Sequence, residues 1–320
     1  MSLDATDQPA APRLSIITPT FNRLMLLGRC LDALSAQSER DFEVIVAVDG
    51  STDGTLAFLT AFARSGRLEL RALPLARGGQ ASARNAAIGA ARGSILVFVD
   101  DDLLLDPETL ARHRAFHEVF ERSVAIGLVR YGRGPRFAPL APTWVDFTGM
   151  NTSLSRDLAL EAGLFDANLS SYGGEDIDFA LRLQRLGARF RPLRDAGATH
   201  LGERVRDPDK GRSAGRQAVQ VAARYGSGVA WRLGVHPTLL AVKRALYNPV
   251  TAAIAGRSRA FAWERAYQSG ALEAQAEQEA SLAPAAVEDT PSPPGVEAPG
   301  AAQPETPLLT PPADGRGEEG

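Results

Sequence analysis

Ile95-Leu96-Val97-Phe98-Val99-Asp100-Asp101-Asp102 is a run of five apolar residues, three of them β-branched, that stops at three consecutive carboxylates. Such a run has the composition of a strand buried on both faces of a sheet. Adjacent acids at its end repel one another, and a cation with oxygen ligands, such as Mg²⁺ or Mn²⁺, relieves that repulsion. Beyond them, Asp106-Pro107 reads as an N-cap followed by proline in the first helical turn. That helix start accounts for Asp106 and leaves Asp100, Asp101 and Asp102 to a metal site.

Upstream, a strand, a polar turn and a helix follow one another three times. Leu14–Thr18 reads as a short strand closed by Pro19, which cannot continue a central ladder. Asn22 can cap a helix over Arg23–Leu34, whose Leu24, Leu27, Leu31 and Leu34 share a face. Glu43–Val48 is a second strand, closed by Asp49-Gly50-Ser51-Thr52-Asp53, with Asp53 placed to cap Thr55–Ala63. Leu68–Leu73 is a third, and Gly78-Gly79 opens an Ala-rich helix, Ala81–Ala91, leading to Ile95. Alternating strands and helices predict an α/β fold with a mostly parallel, doubly wound sheet. Ligands bind such sheets outside the carboxyl ends of the strands, where strand order reverses. Thr18, Asp49 and Asp100 all lie at such ends.

Downstream, a helix is expected over Pro107–Glu121 and a strand over Val124–Val129. His113 and His117, four residues apart on that helix, have no third ligand nearby and read as a solvated face. Tyr131–Pro142 reads as a loop, and Thr148–Ser155 gathers small polar side chains before a helix over Arg156–Ala162. In Ser170-Ser171-Tyr172-Gly173-Gly174-Glu175-Asp176 the glycines give a loose turn, and the two acids open a helix to about Leu186. Carboxylates there also suit the helix dipole. A last short strand, Arg189–Leu193, precedes His200.

Charge divides what remains. Between Arg204 and Arg265 bases far outnumber acids and are interleaved with Trp231, Leu233, Leu240 and Leu246. This mixture suits peripheral contact of 204–266 with anionic lipid, and it suits an ordinary helical subdomain packed on the sheet nearly as well. From about Ser281 the chain is Pro, Ala, Glu and Gly, too poor in apolar residues to fold. The expected organisation is therefore a disordered leader 1–13, a catalytic domain 14–203, a basic helical extension 204–280 and a disordered tail 281–320. The single cysteine, Cys30, sits at an apolar helical position and fits a reducing compartment. With neither a signal-peptide pattern nor a spanning apolar stretch, a cytoplasmic protein is expected, at most peripheral at the inner face of the membrane. No nucleic-acid partner is expected.

Five motifs, Ser15-Ile-Ile-Thr-Pro-Thr-Phe-Asn-Arg23, Val48-Asp-Gly-Ser-Thr-Asp-Gly-Thr55, Ala83-Arg-Asn85, Phe98-Val-Asp-Asp-Asp102 and Gly174-Glu-Asp176, occur in the order and spacing of the family-2 glycosyltransferases. The resemblance covers about Leu14–Leu201 and implies the GT-A fold, a Rossmann-like α/β sheet. Tyr172-Gly-Gly-Glu-Asp-Ile-Asp-Phe179 also resembles the acceptor motif of galactosyltransferase-type and chondroitin-polymerase-type enzymes, which usually carry Trp in place of Tyr172. By that resemblance Thr18, Pro19, Thr20 and Asn22 line the nucleotide pocket, Asp49 binds the base, and Arg84 supports the acidic cluster or the sugar phosphate. Asp100 and Asp102 match the Asp-x-Asp pair, with Asp101 between them shaping the turn beside the donor. Asp102, Asp100 and His200 are the implied ligands of Mn²⁺ or Mg²⁺. Asp176 matches the catalytic base, and Tyr172, Gly173, Gly174 and Glu175 the acceptor side.

The chemistry suits these residue types in its own right. A sugar leaving a nucleoside diphosphate builds negative charge on phosphate, which a divalent cation stabilises, while a carboxylate takes the proton of the acceptor hydroxyl. With no strand-borne nucleophile evident, a single displacement with inversion is expected. The expected partners are a nucleotide-sugar donor, most often uridine-linked by resemblance, and a glycan or lipid-linked acceptor in polysaccharide or envelope assembly. Two other readings are weighed. A sugar nucleotidyltransferase would open with a glycine-rich basic loop where this chain has Thr18-Pro19-Thr20. A degenerate nucleotide-sugar binder would have no need of Asp49, Asp100, Asp102 and Asp176 together.

Overall fold

The parallel half of the sheet follows from runs of apolar residues whose alternate side chains enter two different cores. In the computed structural model β1 (Leu14–Thr20), β2 (Phe42–Asp49), β3 (Leu70–Leu75) and β4 (Ile95–Phe98) are joined by α1 (Leu24–Ser35), α2 (Thr55–Arg64) and α3 (Gln80–Ala90). Val44, Val46, Ile95 and Val97 face a core shared with Leu27, Leu31 and Leu59 of α1 and α2. Ile45, Ala47, Leu96 and Phe98 face the opposite core, with Ala83, Ala87 and Ile88 of α3. Period-2 alternation within uniformly apolar strands therefore specifies a sheet covered on both sides.

The structure describes residues 12–132, 134, 136–137, 139–169, 173–202, 207–246, 251 and 258–282. The expected leader and tail lie outside these residues but for their inner edges. After β4 come β5 (Leu103–Leu105), α4 (Thr109–Val119), β6 (Ser123–Tyr131), β7 (Arg136–Phe137), β8 (Thr152–Ser155), α5 (Arg156–Glu161), α6 (Glu175–Arg185) and β9 (Arg189–His200). The strand order is β3-β2-β1-β4-β8-β6-β9-β5, with β7 on β6. The sheet is mixed. β1 to β4 and the β6–β9 pair are parallel, while β8, β5 and β7 join antiparallel.

Four expectations change on contact with this topology. Pro19 lies inside β1, opposite Ala47. It shares the parity of Ile17, whose carbonyl accepts from Val99 N at 3.1 Å on the β4 side. Pairing with β4 has ended at Ile17↔Phe98, so the N–H that Pro19 lacks has no ladder partner to lose. Asn22 does not cap α1. It adopts φ 51° and its Oδ1 accepts from Thr52 N at 2.7 Å, and Asp53 of the next loop accepts from Leu24 N at 3.0 Å instead. Asp106 does not cap α4, whose N-cap is Glu108.

His113 and His117 are not a solvated face. His113 is fully buried between Ser153 Oγ (2.7 Å) and Asn151 Oδ1 (2.9 Å), and His117 Nε2 reaches the same Ser153 Oγ at 2.8 Å. Burial holds the imidazole of His113 down at about 4 and that of His117 at about 3, so both stay neutral and brace β8.

The helical extension consists of α7 (Pro208–Tyr225), α8 (Ser227–Leu233), α9 (Pro237–Leu246) and α10 (Arg259–Leu282). It belongs to one compact unit with the sheet, Met1–Ser281. A Cβ on Gly215 would lie 1.9 Å from Tyr267 O, and one on Gly270 2.0 Å from Arg212 O, so α7 and α10 meet backbone to backbone. Three of the extension's bases pair inside it: Arg212 with Glu273, Arg216 with Glu273 and Glu277, and Lys243 with Glu264. Among the described residues no helix is long and apolar enough to cross a membrane.

One buried charge fastens the edge of the parallel half. Glu43, fully buried in β2, accepts from Ser15 Oγ (2.7 Å), Arg92 N (2.7 Å), Arg92 Nε (3.1 Å) and Arg71 Nη2 (2.8 Å). Burial pushes this carboxyl up, but the Arg92 amide, the Ser15 hydroxyl and the two guanidinium groups outweigh it and hold the pKa below its ordinary value. A depressed acid contributes stability above its unfolded pKa, and the contribution is lost as pH falls through the folded one. Glu43→Gln is therefore expected to cost about 2–3 kcal/mol at neutral pH and to flatten the loss of stability below pH 4.5, the group's ordinary value. Urea unfolding from pH 7 down into acid checks this. Acid limbs of equal slope in both proteins would contradict it.

Candidate active site

Strand order reverses between β1 and β4, because the chain runs from β1 to β2 and β3 and then returns to the other side of β1. The crevice outside these strand ends gathers the first group of residues. Thr18 is fully buried and its Oγ1 has no hydrogen-bond partner. Thr18 and Pro19 thus lie beneath the crevice wall rather than on its surface. Thr20 Oγ1 donates to Asp101 Oδ2 at 2.7 Å. Asp101 Oδ1 accepts from Arg23 Nη1 at 2.9 Å, and the same nitrogen reaches Asp102 Oδ2 at 2.8 Å. Cys30, buried behind the loop, donates its thiol to Asp100 O at 3.7 Å. Burial pushes that thiol well up, as befits a core residue.

Asp49 forms a second group at the end of β2. It is 3 % exposed and accepts from Arg77 Nη1, from Gly78 N at 2.7 Å and from Gly79 N at 3.1 Å. Arg77 also lies over the Phe21 ring, 3.6 Å from its centroid. Gly79 has φ 86° and Gly50 φ 73°, so both turns use left-handed backbone to bring Gly78-Gly79 onto the carboxylate.

Arg84, on α3 and 1 % exposed, organises the third group. Its Nη1 donates to Asp176 Oδ1 at 2.8 Å and lies 3.8 Å from Glu175 Oε1, and its Nη2 lies 3.3 Å from Asp100 Oδ1. A Cβ on Gly149 would fall 1.8 Å from Arg84 Nη2, so glycine lets this loop close on the guanidinium and donate Gly149 N to Asp176 Oδ2 at 3.3 Å. Burial raises the Asp100 carboxyl to about 7; Arg84 opposes the rise, and Asp176, Asp102 and Asp101 add to it. Burial, then Asp176, likewise raises Glu175, whose Oε2 has no partner. The third acid of this helix start, Asp178, is structural: it binds Arg182 Nη2 (2.8 Å) and Tyr225 OH (2.8 Å) and ties α6 to α7.

His200 arrives from the far side of the sheet. β5 and β9 pair with Leu103 opposite His200, so the residue before Leu103 comes beside the imidazole. Asp102 Oδ1 is buried without a hydrogen bond, yet lies 3.3 Å from His200 Nε2. Gly202 N donates to Nδ1 at 3.0 Å, which leaves the proton of the neutral ring on Nε2, facing that oxygen. A cation shared by Nε2 and the orphaned Asp102 Oδ1 would take the other tautomer, with Nδ1–H donated to Gly202 O at 3.2 Å. The expected set of three ligands is nevertheless not assembled. Asp100 turns away to Arg84 and to Gln80 Nε2 (3.4 Å), and among the described residues no three His, Cys, Asp or Glu side chains group to hold an ion.

Asp100 is thus linked through Arg84 to Asp176. Tyr172 lies outside the described residues. Gly173 has φ 94°, and Gly174 packs so closely on α7 that a Cβ would meet Gln217 Oε1 at 2.6 Å. Arg23, Arg77 and Gly149 escape the sequence reading. The signal for the first two is an arginine directly beside a predicted polar strand end.

The model of the family described as Glycosyl transferase family 2 matches residues 15–159. This segment of the chain, which holds β1 to β8 and the acids at the end of β4, is similar to glycosyl transferase family 2. A member named uncharacterized glycosyltransferase YfnE, from Bacillus subtilis, is 28% identical, over 59% of this chain and 64% of its own. A validoxylamine A glucosyltransferase from Streptomyces hygroscopicus is 31% identical, over 58% of this chain and 54% of its own. The chain spans 36% to 64% of the length of the first of its curated relatives. Among solved structures, the mannosyltransferase PcManGT from Pyrobaculum calidifontis, in complex with GDP-Man and Mn²⁺, superposes with a TM-score of 0.57 at 21% identity, over 86% of this chain and 89% of its own. S. aureus TarS gives 0.52 at 25% identity, over 66% and 40%. The sheet domain of this chain accordingly has the GT-A fold, with the mixed sheet described above.

Proposed function

We propose that this protein is a metal-dependent, inverting family-2 glycosyltransferase that moves a hexose or N-acetylhexosamine from a nucleotide sugar to a hydroxyl of a glycan or lipid-linked acceptor. One observation carries the reading: a single buried guanidinium, Arg84, touches both Asp100 at the end of β4 and Asp176 at the start of α6. The donor-side acids and the candidate base are thereby held within one side chain's reach. Related structures contain UDP-GlcNAc and GDP-Man, the latter with Mn²⁺. These support a nucleotide-sugar donor while leaving uridine as our preference by resemblance.

In this reading Asp49 and the turn around it receive the base, and Asp102 and His200 hold Mn²⁺ or Mg²⁺. Such ions are commonly held by one or two protein ligands, the rest coming from water and substrate phosphate, which suits a site lacking a third protein ligand. When bound, the cation stabilises charge on the departing diphosphate. Asp176, 19 % exposed at its side chain, keeps a lone pair on each oxygen beyond its bonds to Arg84 and Gly149 and takes the proton of the acceptor hydroxyl. Glu175, Gly173 and Gly174 form the acceptor side with Tyr172. The setting is polysaccharide or envelope synthesis on the cytoplasmic side, with 204–266 as the candidate lipid-facing segment.

A panel of nucleotide sugars, each titrated with Mn²⁺ and with EDTA, tests this. One donor is expected to bind and to be slowly hydrolysed only with the ion present. Binding and turnover indifferent to chelation across the panel would refute metal dependence.

A further inference from the structure

Arg23 is a half-exposed cation placed on Asp102 of the candidate metal site and on its neighbour Asp101, and the donor reading assigns it no role. One nitrogen, Nη1, bridges Asp101 Oδ1 at 2.9 Å and Asp102 Oδ2 at 2.8 Å, while the side chain is 47% exposed against 5% for either acid. Asp101 takes one hydrogen bond on each oxygen, from this contact and from Thr20 Oγ1. Asp102 is divided: Oδ2 belongs to Arg23, and Oδ1 faces His200 Nε2 with no hydrogen bond.

We infer that Arg23 is a positioning residue that makes cation binding conditional on the nucleotide diphosphate, an inference that rests on the metal reading above. By holding Oδ2, the guanidinium leaves only Oδ1 of Asp102 for an ion shared with His200. By its charge, it opposes a bare divalent ion at that position, since like charges a few ångströms apart repel even in high dielectric. A diphosphate brings negative charge to both cations and removes the opposition. Arg23 is half-exposed and free to meet a phosphate oxygen through the fork that Nη1 alone leaves unused. The protein thus takes up its ion together with its donor rather than before it.

The test measures Mn²⁺ affinity by calorimetry, without nucleotide and with saturating UDP and, separately, GDP, for wild type, Arg23→Gln and Arg23→Lys. Wild type is expected to bind Mn²⁺ weakly alone and much more tightly with one diphosphate. Arg23→Gln is expected to bind Mn²⁺ alone on the order of tenfold more tightly and to show a smaller gain on adding the diphosphate. Arg23→Lys, which keeps the charge, stays near wild type. Thermal midpoints of all three, measured without metal, detect a damaged fold. Unchanged Mn²⁺ affinity in Arg23→Gln, or a shift equal in both conditions, overturns the inference while leaving metal dependence standing. Failure of the wild type to bind Mn²⁺ under either condition overturns the metal reading itself.

Discussion

Asp176→Asn is expected to reduce sugar transfer by about 10²–10⁴-fold while leaving donor binding nearly unchanged, the range a positioned general base supplies. Asparagine keeps the shape of the side chain, and its carbonyl oxygen can still accept from Arg84 Nη1, now 2.8 Å from Asp176 Oδ1. What disappears is the capacity to take a proton. The loss should therefore fall on kcat at saturating donor rather than on the donor's KM. Glu175→Gln is the informative companion. Glu175 is the more buried of the pair, 7 % exposed, and burial raises its carboxyl, so it is less able to act as an ionised base at neutral pH. Full activity in Asp176→Asn together with a large loss in Glu175→Gln would exchange the two roles. The same pair of variants separates an enzyme from a protein that merely binds nucleotide sugar, because a binder has no transfer to lose.

The parallel half of the fold is legible in the sequence because its strands are apolar on both faces and its helices present apolar stripes. β5, β8 and the second half of β9 are not, for a different reason in each. β5 is three residues long, too short to carry a period. β8 reads Thr-Ser-Leu-Ser, and its central Ser153 is satisfied by His113 and His117 of a distant helix. Beyond Leu193, β9 runs through Arg194-Asp-Ala-Gly-Ala-Thr-His200 without alternation, and its register against β6 shifts between Gly127 and Leu128. A bulge of this kind hides a strand from any pattern of period 2. The site divides along the same line. Asp49, Asp100 and Asp102 are visible because acids at the ends of apolar runs are conspicuous. Arg23 and Arg77 become meaningful only once folding brings β1, β2 and β4 side by side. The two histidines of α4 show the opposite error: a polar spacing that looks solvent-facing until its partners, 36 to 40 residues away, supply the hydrogen bonds.

Arg84→Met is expected to cost about 3–5 kcal/mol of stability, because removing one member of a buried ion cluster leaves the others uncompensated. The guanidinium is 1 % exposed and faces Asp100, Glu175 and Asp176, with the Phe165 ring 5.4 Å below it. Methionine fills the volume and sits acceptably on the ring, yet it abandons three carboxylates. Arg84 is the group that opposes the upward push of burial on Asp100, already at about 7, so its loss drives that carboxyl further toward the neutral form and weakens donor binding at neutral pH. Arg84→Lys should recover part of the stability and little of the activity. An ammonium supplies the charge, but a point donor cannot span Asp176 Oδ1 at 2.8 Å and Asp100 Oδ1 at 3.3 Å as the planar fork does. Urea unfolding reports the first effect, and transfer rates at saturating donor the second. If Arg84→Lys were as active as wild type, Arg84 would be acting as a charge alone, and the geometric link between the donor aspartates and Asp176 would lose its support.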